Sequence, residues 1–220
     1  MATSWPESRS VHPPLRMVTL AASLLGGAWG GGIAWAGEAH GVAPAPPMIV
    51  DDQQVLETVT ERGKALLESR KTTPMAELIG QLGRHHCKAQ LHSPTGKTIA
   101  PADLYDTIRK SVVVLAGLYK CSRCGQIHSN AASGFFITES GIAVTNHHVV
   151  NSTSNLTLVA MTADRAVFPV KAVLAASAVN DVALVQVEGS GFTPLPVAAW
   201  TSVGSKVFVQ PPRWPFLHDE

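Results

Sequence analysis

Ser133–Val150 reads S-G-F-F-I-T-E-S-G-I-A-V-T-N-H-H-V-V. Ile137 and the alternating pair Ile142 and Val144 carry the period of two expected of half-buried strands. Between them Glu139-Ser140-Gly141 supplies a tight turn, with Gly141 free to take a positive φ. The second strand closes on Thr145-Asn146-His147-His148, so titratable side chains stand where regular structure is expected to stop. A histidine so placed is fixed by a rigid sheet and still reaches a substrate. An ordinary surface histidine leaves the same pattern, so the flanking chain has to decide between the two.

On the C-terminal side, Asp181 follows Asn180 and leads Val-Ala-Leu-Val-Gln-Val, a run apolar on both faces. A carboxylate at the mouth of such a strand is expected to be partly desolvated and to need a charged or N–H partner. The plain alternative is an aspartate capping its own turn. On the N-terminal side, Ser111 to Tyr119 is β-branched and continuous, as in a buried strand. Short strand-like runs recur at Ala131–Thr138, Ile142–Thr145, Leu156–Thr162, Val167–Ala175, Asp181–Val187 and Lys206–Val209. Their spacers are turn-like and too short for helices of normal length, which predicts an antiparallel barrel or sandwich rather than a parallel α/β sheet.

The Ser133–Val150 stretch, followed by N-D-V-A-L-V-Q-V, resembles the first half of a trypsin-like serine protease, closest to the HtrA/Deg branch. In that branch a Ser-Gly-Phe strand and a Gly-turn strand end in T-N-x-H-V, and the aspartate comes as D-[IV]-A-L. Val203-Gly204-Ser205-Lys206-Val207 resembles the segment entering the second barrel, and the resemblance runs from about Val112 to Val209. It implies a mainly β fold, the first antiparallel β-barrel of a double-barrel enzyme. It also implies that His148 is the general base and that Asp181 orients it, with a polypeptide substrate or peptide ligand and no cofactor required for catalysis. His147 takes the variable position.

The chain departs from that pattern at the nucleophile. The motif G-[DN]-S-[GA]-G does not occur, and only Ser190, Ser202 and Ser205 follow Asp181. Gly189-Ser190-Gly191 reads as an inter-strand loop. Gln210-Pro211-Pro212-Arg213-Trp214-Pro215 cannot continue a central strand. The expectation is the N-terminal part of a protease, a truncated or frame-shifted product or a fragment, without useful hydrolysis: losing the serine of a triad costs on the order of a millionfold in turnover. The alternatives are a pseudoprotease that binds a peptide or partner, and a zinc-stabilised structural domain. An exposed barrel face would also favour self-association.

Cys121-Ser122-Arg123-Cys124-Gly125 is a C-x-x-C-G turn with His128 close behind. Glycine after the second cysteine suits a zinc knuckle, where backbone N–H groups face thiolate sulfur. Cys87, beside His85 and His86, could complete a tetrahedral set with Cys121, Cys124 and His128. A Cys121–Cys124 disulfide and free thiols are the competing readings.

The N-terminus reads as targeting rather than fold. Arg9, His12 and Arg16 precede an uncharged apolar run, Met17 to Trp35, that closes on Ala34-Trp35-Ala36. This is the form of a secretory signal peptide cleaved near Ala36, implying a secreted or periplasmic protein; an uncleaved anchor is the alternative. The expected organisation is a signal peptide (1–36), a linker (37–50), a helical arm (51–110) and a truncated peptidase domain (111–220). Within the arm, Val55, Val59 and Leu66 mark one helix. Thr73-Pro74 opens a second that Gly83 should stop, the two forming a small helical hairpin packed on another part of the fold, and Pro101 opens a third. With a net charge of +1 over 220 residues and no basic cluster, nucleic-acid binding is not expected, nor membrane contact beyond the signal segment.

Overall fold

The computed structural model describes residues 52–96, 99–199 and 201–207. The signal-type segment, the linker and the proline-rich tail lie outside the described residues, as do Phe208 and Val209 of the last expected strand.

Strand β1 (Val112–Lys120) is buried continuously from Val112 to Leu118 because each of its faces meets a different apolar layer. Val113 and Leu115 point into the barrel, among Phe136, Leu158, Ala160, Val173 and Val185. Val114, Ala116 and Leu118 lie on the outer face, under Val55 and Val59. Those two valines belong to helix α1 (Asp52–Glu68). The helix comes so close that a Cβ on Gly63 would stand 3.1 Å from the Leu118 side chain.

The remaining strands are β2 (Ile127–Phe136), β3 (Ile142–Thr145), β4 (Thr157–Met161), β5 (Val167–Ser177) and β6 (Val182–Val187). With β1 they close into an antiparallel barrel in the order β1-β2-β3-β6-β5-β4. Closure gives every strand of the ring two hydrogen-bonded neighbours. The protein is therefore mainly β, a closed six-strand barrel preceded by helices, as the alternating apolar pattern and its resemblance predicted. β5 carries two register shifts, between Val170 and Ala172 and between Val173 and Ala175, which let it curve around the ring. Phe192, stacked on Phe136 with ring centroids 4.2 Å apart, closes the interior near the start of β3. Gly141 takes the expected positive φ, at 91°.

The helical arm differs from expectation. Helix α2 (Met75–Gly80) does not pair with α1 as a hairpin; each packs on the barrel by itself. Met75 and Leu78 enter the inner core. Met75 N–H donates to Leu156 O at 2.8 Å, and Val173 N–H donates to Gln81 Oε1 at 2.7 Å. Thr73 does not cap the helix; its hydroxyl donates to Lys171 O at 3.1 Å. The helix also ends at Gly80, before Gly83. These bonds make the arm a brace of the barrel. Helix α3 (Pro101–Ile108) leads directly into β1.

Two strand expectations also change. β2 begins at Ile127 rather than Ala131, and Lys206 and Val207 lie outside any strand.

Candidate active site

β3 and β6 are antiparallel neighbours, with Thr145 opposite Ala183. The end of β3 and the start of β6 therefore share one end of the barrel. The residues that follow Thr145 and precede Val182 are brought together by this topology alone.

The chain does not enter a loop after β3. Asn146, in extended backbone, leads a short helical turn, α4 (His147–Val150), closed by Asn151 N–H donating to His147 O at 3.0 Å. Val150 is fully buried in the inner core, which pins the turn and leaves the His148 side chain outside, 71% exposed. Across the gap, Asp181 ends the β5–β6 turn with φ +50°, a left-handed conformation that aspartate tolerates better than most residues.

The Asp181 carboxylate and His148 meet twice. Oδ1 accepts the His148 backbone N–H at 3.0 Å, and Oδ2 lies 2.8 Å from His148 Nδ1. Asn146 Nδ2 donates to Oδ2 and to the Asp181 carbonyl, both at 3.1 Å. The His148 backbone N–H, then its ring, hold the Asp181 carboxyl below the usual aspartate range. Its side chain is 46% exposed, the partial desolvation that its sequence context suggested, while Val182 beside it faces outward. With Nδ1–H given to the carboxylate, Nε2 carries the free lone pair, the arrangement a general base requires. Asn146 is the member of the site that the sequence reasoning passed over, although it lies in the same T-N-H-H run.

Among the described residues, no serine hydroxyl is hydrogen-bonded to the His148 ring. Ser190 lies beyond the other end of β6, a six-residue strand spanning about 20 Å. Ser202 and Ser205 share a turn, Ser205 N–H donating to Ser202 O at 3.1 Å.

The cysteine turn joins β1 to β2. Cys121 N–H donates to Gln126 O at 2.8 Å and Gly125 N–H to Cys121 O at 2.9 Å, with Gly125 at φ +71°. Cys124 Sγ lies 3.2 Å from His128 Nε2. The backbone N–H groups of Cys124 and Arg123 lower the Cys121 thiol below the usual cysteine value. Cys121, Cys124 and His128 come together, but Cys87 does not join them. Its segment is tied to β5, where Arg84 donates to Val173 O at 2.8 Å and Ala176 N–H to Arg84 O at 2.7 Å. In the ring, β5 stands opposite β2. The Cys121–Cys124 bridge is likewise not formed; all three cysteines are free thiols.

Residues 132–210 match the family described as trypsin-like peptidase domain. The matched span takes in β3, α4, β6 and the contact between His148 and Asp181, and it supports a serine-protease-like family for this barrel. No curated protein matches the chain.

Proposed function

We propose that this barrel carries the base and orienting acid of a serine endopeptidase site of the HtrA/Deg-like kind, acting on polypeptide, and that the 220-residue chain alone does not turn over. The observation that carries this reading is the paired contact of Asp181 with the Nδ1 and backbone N–H of His148. In such a site Nε2 takes the proton of an attacking serine hydroxyl. The carboxylate keeps the ring in the required tautomer and stabilises the imidazolium that forms. The serine motif does not occur in the chain, so the proton acceptor has no donor of the matching kind. The reading also takes the chain to be exported, with a signal peptide cleaved near Ala36.

The test is treatment of the full chain with a serine-directed fluorophosphonate, beside an assay of casein cleavage. No stable adduct and no cleavage are expected. A stoichiometric adduct on Ser190, Ser202 or Ser205 would overturn the inactive half of the proposal.

A second reading, non-catalytic binding of a peptide or partner at this end of the barrel, draws on Val179 and Val182. These apolar side chains flank Asp181 and are 97% and 40% exposed.

A further inference from the structure

The tip of the β1–β2 ribbon holds an arrangement that the protease reading does not use. β3 pairs with β2 at Phe135 and Phe136, and β4 pairs with β1 as far as Leu118. The last two pairs of the ribbon, Tyr119 with His128 and Lys120 with Ile127, have no third strand beside them, although Ile127 packs against the outer apolar cluster. A two-stranded tip is marginally stable in water, and its residues are mostly exposed here. The turn itself, residues 122–126, is exposed and has no apolar packing to hold it.

We propose that Cys121 Sγ, Cys124 Sγ and His128 Nε2 bind a zinc ion that staples this ribbon tip, with solvent in the fourth position. The three ligand atoms lie within 4.8 Å of one another. Zn–S and Zn–N bonds of about 2.3 and 2.0 Å place tetrahedral ligand atoms about 3.5–3.8 Å apart. Closing the set around the ion therefore asks for movements of about 1 Å or less.

Two cysteines and an imidazole are a donor set suited to zinc, and hard cations such as calcium or magnesium would not select it. The backbone closes the turn beneath the ligands, Gly125 N–H donating to Cys121 O at 2.9 Å and Cys121 N–H to Gln126 O at 2.8 Å. The His128 ring is oriented from behind by Tyr119, stacked at a centroid distance of 6.0 Å and an interplanar angle of 28°. Every ligand comes from one hairpin, so the ion constrains the turn locally and does not tie the helical arm to the barrel.

The test uses the full chain, expressed with added zinc and purified under a phosphine reductant without chelator. One zinc per chain is expected, and cobalt(II) in its place should give tetrahedral d–d bands with thiolate-to-metal charge transfer. Cys124→Ser and His128→Ala should lose the metal, whereas Cys87→Ser should keep it. Zinc should also slow alkylation of Cys121 and Cys124 in the unaltered chain and leave Cys87 unaffected, a readout that needs no variant to fold. A chain that stays metal-free at saturating zinc overturns the proposal. So does zinc that survives Cys124→Ser, or zinc lost from Cys87→Ser.

Discussion

Replacing Val150 by alanine tests whether the barrel core holds the histidine turn in place. Val150 is the last residue of α4, two positions after His148, and its side chain is fully buried among the inner-core residues. The substitution removes two methyl groups, each stabilising by about 0.8 kcal/mol when buried. The transfer loss is therefore about 1.6 kcal/mol, and incomplete collapse of the void raises the expected cost to about 2–3 kcal/mol. Val179 offers the same chemistry without burial, at 97% exposure, and Val179→Ala should change stability by less than about 0.5 kcal/mol. Urea unfolding of both variants, followed by fluorescence and circular dichroism, gives the comparison directly. The amide signal of His148 should shift in Val150→Ala, because its N–H is held by Asp181 across the gap that the turn defines. Equal midpoints for the two variants would refute the argument, since burial is the only difference it invokes.

Two further outcomes follow from the Asp181 contacts. In the unaltered chain, nitrogen-detected NMR near neutral pH should find neutral His148 protonated at Nδ1. Asp181→Asn offers an amide N–H to that nitrogen and should move the proton to Nε2; an unchanged tautomer would sink the orienting role. The depressed carboxyl of Asp181 sets the sign of its pH dependence. Its contribution to stability is present above the unfolded aspartate value and is lost as pH falls through the lower folded value. A carbon-detected titration should place Asp181 below ordinary aspartates, and Asn146→Ala should move it back towards them; an unshifted Asp181 in the unaltered chain contradicts the contact geometry.

What the sequence conveyed depended on how many residues carried each signal. β1 was legible because nine successive residues repeat one tendency, although only the structure explains why both of its faces are covered. α4 was not, since four residues form a single turn that is too short for helical periodicity to register. The first residues of β2, Ile-His-Ser-Asn, alternate in burial, but one apolar residue among three polar ones carries too little hydropathy contrast to mark a strand. His148 and Asp181 were named through a family pattern, and their distance depends on the antiparallel pairing of β3 with β6, a long-range fact. The partial desolvation of Asp181 is legible in the apolar run behind it, whereas the alternation of β6 between buried and open positions is not. Cys87 was added to the metal set from residue type alone, and the docking of Arg84 on β5 holds its segment across the ring.

The left-handed backbone of Asp181 also governs how this site can change over evolutionary time. Glycine, asparagine and aspartate enter that conformation at the least cost, so the cheap replacements at this position are few. Asparagine keeps the turn but offers the histidine the wrong donor, and glycine keeps the turn and offers nothing. The mutational paths that spare the fold are thus the ones that remove the carboxylate from His148. One substitution can therefore release His148 from its carboxylate while the barrel keeps its fold.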